Sequence, residues 1–299
     1  MAPIRKRKLR FASFGAFSGK SGHSASRRLS IPRSPLVSLA KRSFKEEKLL
    51  NQDLSRANQI QLSLLPTQIP SLPGFDIRVH YVSCKEIGGD YYDFIEIDKD
   101  HLGMVVADVS GKGISGAMIM AMARSVIRLL AEKNPDAKDT IIRANRIIAK
   151  DVKNVMFLTA IYLVLNIRTR TLEVVNAGHN PLIYWNGETS KLVNPAGIAI
   201  GFDYGPIFEA SLRSEQLKLE PGHRVVAFTD GVVECRNKLG KEYGQDRLVK
   251  KVEEYGSLTS GECVNNLVND LADFQGSAPQ LDDITILTFN YRTPEMIVE

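Results

Sequence analysis

The sequence predicts an α+β fold built on antiparallel sheet, and three observations carry that expectation. Strand-like segments follow one another across short polar turns, and helical periodicity is confined to a few blocks. Strands and helices do not alternate as a doubly wound sheet requires. The stretch from His101 to Lys133 organises the rest. Val105, Val106 and Ala107 form an apolar run that stops at Asp108, and Ser110, Gly111, Lys112 and Gly113 turn the chain into a helical pattern. Met118, Met122, Val126 and Leu129 recur at helical spacing and are expected to face a core.

Upstream, Glu46 to Leu65 reads as a helix, with Leu50, Leu54, Ala57 and Leu64 at heptad-like positions and Gln61 in the remaining one. Two heptads are short for an independent coiled coil, so the segment either pairs with a second copy or packs on the adjoining domain. Pro66, Pro70 and Pro73 end it, because proline cannot continue a helix. FDIRVHYVS, GGDYYDFIEID and HLGMVVAD then read as strands. Beyond the organising helix, a second runs from Asp139 to Val152, with Ile141, Ile142, Ala144, Ile147 and Ile148 on one side. Phe157 to Ile167, Thr171 to Ala177 and Pro181 to Trp185 suggest a meander. Further strands are expected at Glu209 to Leu217, Arg224 to Thr229 and Ile284 to Phe289, with a helix between Glu262 and Phe274. The expected organisation is a basic tail over 1–45, a helical linker over 46–65 and a domain over 66–295.

A chain of 299 residues with 43% hydrophobic content can bury a sizeable core. The apolar run from Val155 to Leu165 is broken by Thr159 and falls short of the roughly 20 residues of a membrane span. Cys84, Cys235 and Cys263 lack CxxC spacing, which argues against a disulfide framework and a structural zinc site. A reducing, cytoplasmic setting without a secretory signal is therefore expected. The net charge of +5 is concentrated in residues 1–45, which are dense in Lys, Arg and Ser and hold no acid. Such a tail is expected to be disordered. It suits anionic lipid, nucleic acid, a transit role or plain solvation. The remainder is net acidic, so a nucleic-acid groove is not expected there.

Asp108 is one of several acids at strand ends. GGD puts Asp90 before a strand, FTDG puts Asp230 after the run VVAF, and QLDDITIL puts Asp282 and Asp283 before another. Two unit charges about 5 Å apart repel by roughly 3 kcal/mol at an effective dielectric of 20, so converging carboxylates need cations. Oxygen donors without a His or Cys cluster select hard ions, Mg²⁺ or Mn²⁺. Two such ions make a clamp for phosphoryl transfer to water. The bland alternative is that these acids merely occupy turns.

The ordered series GGDYYD, VADVSGKG, FLTAIYLVLN, VNAGHNPLIYW, AGIAIGF, FTDGVVECRNKLGKEYG and DDITIL resembles the SpoIIE and RsbU group of PPM-type serine/threonine phosphatases, over about residues 66–291. The resemblance implies a sandwich of two antiparallel sheets flanked by helices, with a centre of two Mn²⁺ or Mg²⁺ ions at one end. By position it implies that Asp90 and Asp108 lie at the metal pair with the carbonyl of Val109. It makes Asp230 the acid completing one shell and Asp282 the fourth ligand, with Asp283 the weaker choice of the neighbouring pair. Asp93 and His179 are expected to be structural. Many eukaryotic relatives carry a His shortly after the acid matching Asp108, where this chain has Ser110 and Lys112. Metal-bound water or Lys112 is then left to serve as general acid. Gly111, Gly113 and Gly231 are expected to permit close backbone approach. His23, His80, His101 and His223 are expected at the surface or in strands.

The resemblance further implies a phosphoserine or phosphothreonine substrate on a partner protein, an anti-sigma factor antagonist, and control by the segment before the domain. A homodimer through residues 46–65 is the expected control element, positioning the helix after Asp108. Two other readings stand beside it: a catalytically inactive docking module of the same fold, and a two-metal nuclease with the basic tail holding nucleic acid.

Overall fold

The computed structural model describes residues 35–152, 156–203 and 205–293, with side chains from Lys45 onward. The tail through residue 34, His23 and Val155 lie outside the described residues. The chain divides into two compact units, residues 1–48 and residues 49–299. The sheets, the core and the acids belong to the second.

Helix α1 runs Pro35–Leu64. It begins well ahead of the expected Glu46, inside the stretch expected to lack structure. Proline is tolerated in a first helical turn, where its missing N–H has no intrahelical partner, and no breaker intervenes before Leu64. Within the second unit Leu50 is 56% exposed, whereas Gln61 is only 4% exposed. The polar heptad position, not the leucine, is the one buried.

The strands are β1 (Phe75–Val82), β2 (Tyr91–Asp98), β3 (His101–Val109), β4 (Leu158–Asn166), β5 (Thr171–Ala177), β6 (Leu182–Trp185), β7 (Ser190–Val193), β8 (Ser214–Lys218), β9 (Arg224–Phe228) and β10 (Ile284–Tyr291). They form two antiparallel sheets, ordered β2-β3-β4-β5-β8 and β1-β10-β9-β6-β7. In β9, Val225 and Ala227 join the core between the sheets, and Val226 and Phe228 join a second core on the far side. Successive strand residues face opposite ways, so a strand covered on both faces reads as one unbroken apolar run.

Helices α2 (Ile114–Ala131) and α3 (Ala137–Val152) cover the outer face of the first sheet. Two short helices, α4 (Pro206–Ser211) and α5 (Asp230–Val233), precede α6 (Gln245–Tyr255) and α7 (Ser260–Gln275), which cover the second sheet. The expected sandwich of antiparallel sheets flanked by helices is the architecture present.

Several elements differ from expectation. The buried stripe of α2 is Met120, Ala123, Ile127 and Leu130, while Met118 and Leu129 are 68% and 70% exposed. Apolar residues surround this helix, so spacing alone does not single out one face. Packing of Gly116 settles it: a Cβ there would overlap the carbonyl oxygen of Gly111. By length and composition α2 is also apolar enough to cross a membrane, yet one face of it packs on β2 and β3. Ile147 of α3 is likewise exposed. The expected strand Glu209–Leu217 is a helix end followed by β8, because Pro206 starts α4 and Phe208 buries at its centre. Helix α6, with Leu248 and Val252 buried four residues apart, was not anticipated.

Candidate functional site

Asp90 precedes β2, Asp108 sits near the end of β3, Asp230 opens α5 directly after β9, and Asp282 stands just before β10. Paired strands therefore bring four acids, far apart in sequence, to one end of the sandwich. Their carboxyls act on one another. Burial, then the charges of Asp230, Asp282 and Asp283, push Asp108 up to about 7. Burial, then Asp282 and Glu234, push Asp230 up to about 6. Burial, then Asp108, hold Asp90 well above the usual carboxylate range. A cluster of buried acids that retain protons near neutrality is electrostatically incomplete.

Asp90 is 1% exposed, and its Oδ2 accepts hydrogen bonds from Thr229 Oγ1 (2.7 Å) and Thr285 Oγ1 (2.5 Å). Thr285 N–H donates in turn to Thr229 Oγ1 (3.0 Å). Thr285 of β10 and Thr229, just past the end of β9, thus orient the acid that precedes β2 in the other sheet. Sequence reasoning missed both, since a Thr at a strand end carries no signal of what it faces.

Asp283 sits beside the cluster in a different role. Its Oδ1 accepts from Cys84 N–H (2.7 Å), and its Oδ2 accepts from Gly89 N–H (2.6 Å) and Asp90 N–H (3.4 Å). At 3% exposed, it clamps the loop between β1 and β2. Cys84 was also missed: its sulfur and the carboxylates of Asp282 and Asp283 lie within 4.8 Å of one another. Lys112 Nζ pairs with Asp282 Oδ2 (2.6 Å) and donates to the carbonyl of Leu281 (2.7 Å).

Glycines admit the backbone here. A Cβ on Gly89 would stand 3.2 Å from the Val109 carbonyl oxygen and 3.4 Å from Asp108 Oδ1. Gly231 has no room at all, since a Cβ would overlap the carbonyl of Asp283. Gly111, with φ of 106°, turns the chain out of β3 in a region closed to most side chains.

The linker reaches this loop directly. Gln61 Nε2 donates to the Gly88 carbonyl (2.7 Å), and Gly88 N–H donates to Gln61 Oε1 (3.1 Å). Arg124 Nε of α2 donates to the carbonyl of Leu64 (2.5 Å).

Asp93 and His179 lie behind the cluster. Asp93, fully buried, accepts from Tyr91 Oη (2.6 Å), Arg128 Nη1 (2.6 and 2.8 Å) and Phe94 N–H (2.9 Å). His179 is 8% exposed, its Nδ1 lies 2.8 Å from Thr159 Oγ1, and its N–H donates to Asn176 Oδ1 (2.6 Å). Burial lowers its pKa to about 4, so the ring is neutral at physiological pH. It braces a turn. Ser110 Oγ accepts from Phe157 N–H (2.8 Å), which spends that hydroxyl on the loop. His101 pairs with Asp98 on the surface.

The family model described as stage II sporulation protein E matches residues 98–292. The chain belongs to the SpoIIE family. Phosphoserine phosphatase RsbU of Bacillus subtilis is 29% identical over 240 residues, 80% of this chain and 70% of that protein. The SiaA-PP2C domain of Pseudomonas aeruginosa superposes with a TM-score of 0.74 at 25% identity, covering 83% of this chain and 98% of that one. RsbX, solved in complex with magnesium, shares the fold with a TM-score of 0.54 at 19% identity, over 75% of this chain and 98% of that one.

The residues fit divalent ions. Asp90, Asp108, Asp230 and Asp282 supply oxygens only, the donor set of hard cations. The raised pKa values of Asp90, Asp108 and Asp230 are the mark of negative charge awaiting compensation, and Lys112 offers a single positive charge against several carboxylates.

Proposed function

We propose that this chain is a Mn²⁺- or Mg²⁺-dependent protein serine/threonine phosphatase acting on a phosphorylated partner of the anti-sigma-factor-antagonist type. The observation that carries the reading is the gathering of Asp90, Asp108, Asp230 and Asp282 at one end of the sandwich, where burial first and neighbouring carboxylates second raise the pKa values of Asp90, Asp108 and Asp230. In this reading Asp90, Asp108, Asp230, Asp282 and the carbonyl of Val109 hold two ions. Held there, two divalent ions would supply an activated water and positive charge against the phosphoryl group. The chain's own contribution is orientation. Thr229 and Thr285 fix Asp90, Asp283 fixes the loop carrying it, and Gly89 and Gly231 let backbone approach closely. Lys112 brings positive charge to the same edge.

Regulation by the linker is supported by its hydrogen bonds. Gln61 grips Gly88 and Leu64 accepts from Arg124, so a shift of α1 is felt both at the Asp90 loop and in α2. Leu49, Leu50, Ile60 and Leu62 are exposed on α1 and suit pairing with a second copy. Replacing Leu50 and Leu54 with Asp lowers both self-association and turnover on this reading; unchanged values of both remove it.

The deciding experiment is Mn²⁺-dependent phosphate release from para-nitrophenyl phosphate. Activity abolished by chelator and by Asp230→Ala is the expected result. Absence of turnover in the wild type favours the docking module, and nucleic-acid cleavage without monoester turnover favours the nuclease.

A further inference from the structure

The segments that carry the acid cluster also carry apolar side chains that the fold leaves in solvent. Ile114 and Met118, 53% and 68% exposed, lie one helical turn apart at the start of α2, just beyond the Asp108 loop. Leu281, 51% exposed, adjoins Asp282, and its carbonyl accepts from Lys112. On another side, Phe157 exchanges backbone and side-chain hydrogen bonds with Ser110, and its ring meets that of Phe202 at 4.8 Å. These two rings are 37% and 59% exposed. Ile114 follows the Asp108–Gly113 loop directly and Met118 stands one turn beyond it, Leu281 adjoins Asp282, Phe157 bonds to Ser110, and Phe202 reaches the loop through Phe157.

Single exposed apolar residues need no explanation. Five around one charged pocket are different, because apolar groups gathered in one place mark a surface that meets another molecule. Excluding water from the rim of such a site also strengthens the polar interactions inside it.

We propose that this apolar collar docks the side chains flanking the phosphorylated residue of a protein substrate, selecting phosphoserine or phosphothreonine with large apolar neighbours within about three positions. The inference rests on the phosphatase reading above. A phosphate that reaches Asp108 and Asp230 lays its neighbouring residues across the rim. At about 3.3 Å per residue, an extended segment places three residues on either side within some 10 Å of the acids. The five side chains carry no charge, so their contribution to discrimination is apolar burial, at roughly 25 cal/mol per Å² removed from water.

The test compares two synthetic phosphoserine peptides, one flanked by Leu and Ile at positions −2, −1, +1 and +2, the other by Gly and Ser, with para-nitrophenyl phosphate as control. Wild-type protein with Mn²⁺ is expected to hydrolyse the apolar peptide with kcat/KM at least about tenfold higher, expressed mainly in KM. Met118→Ser and Phe202→Ser, at exposed positions, each shrink that ratio several-fold while para-nitrophenyl phosphate turnover stays within about twofold. Equal kcat/KM for the two peptides overturns the proposal, as does a preference that survives both substitutions. A change in sedimentation of the variants with peptide preference unaltered overturns it too, and assigns the collar to contact between copies of this chain. Wild-type protein that turns over para-nitrophenyl phosphate but ignores flanking residues sinks the collar alone. Failure on all three substrates removes the phosphatase reading along with it.

Discussion

Gln61 and Gly88 are joined by two hydrogen bonds running in opposite directions, amide to carbonyl at 2.7 Å and backbone N–H to amide oxygen at 3.1 Å. A buried primary amide thus satisfies both polar groups of one glycine, two residues before Asp90. Gln61→Ala leaves those groups without partners in a dry environment, at a cost of about 1–3 kcal/mol. Gln61→Glu keeps the acceptor and loses the donor. Turnover should fall on the order of tenfold in Gln61→Ala and less in Gln61→Glu, with a matching drop in Tm. Wild-type turnover in Gln61→Ala would show that the Asp90 loop holds its shape unaided.

A second buried network ties α2 to the first sheet. Asp93 has no solvent access and takes its charge partner from Arg128, with Tyr91 and the Phe94 N–H filling the remaining directions. Removing Arg128 strands a buried charge; because the Arg128 side chain is itself 39% exposed, the cost falls below the about 3–5 kcal/mol of a wholly buried pair, and removing both partners costs far less. Arg128→Met is therefore expected to be less stable than the wild type in urea titration, and Arg128→Met with Asp93→Asn to recover most of the loss. Additive losses in the double variant would refute the coupling.

Much of this site was legible because Asp90, Asp230 and the Asp282–Asp283 pair stand beside a glycine or a second acid, and Asp108 three residues before Gly111, each at the edge of an apolar run, a pattern that survives in one dimension. The partners that orient the acids were not. Thr229 and Thr285 lie 139 and 195 positions from Asp90, and nothing in their neighbours says that both hydroxyls point at one carboxylate. The same limit applies to α2. Its apolar residues run around the whole helix, so Met118 and Leu129 fit a core stripe as well as Met120 and Ile127 until Gly116 is seen against Gly111. Strands buried on both faces, such as β9, were readable because an unbroken run needs no choice of face.

Asp282 and Asp283 are neighbours with opposite loyalties. Asp283 accepts three backbone N–H groups and is 3% exposed, so Asp283→Ala should unfold at lower temperature whether or not Mn²⁺ is present. A loss of about 2–4 kcal/mol is the scale for three buried donors left unmade, in part relieved by water. Asp282 faces Lys112 and the other acids. Asp282→Asn should fold as well as the wild type yet require a higher Mn²⁺ concentration for half-maximal turnover, by tenfold or more. Identical Mn²⁺ dependence in Asp282→Asn would remove it from the ligand set.

The acids also set a pH dependence whose sign differs from that of a salt-bridged carboxylate. Asp108 titrates near 7 in the folded chain against an ordinary value of 3.8, and Asp230 near 6, because burial and their neighbours oppose the charge. Between about pH 4 and pH 7 the folded protein holds protons that the unfolded chain has released. Stability of the metal-free protein therefore falls as pH rises through that window, then levels off above it. For Asp108 the ceiling is about 4 kcal/mol, at about 1.4 kcal/mol per pK unit. Asp108→Asn carries no such charge, so in EDTA its stability should overtake the wild type progressively from pH 4 to pH 7. Divalent ions compete with those protons, so saturating Mn²⁺ should raise the wild-type Tm more at pH 7.5 than at pH 5, and should release protons on binding. Parallel pH profiles for wild type and Asp108→Asn in EDTA would mean that the carboxyl is not strained by its neighbours, and the electrostatic case for a cation site at this end of the sandwich would fall with it.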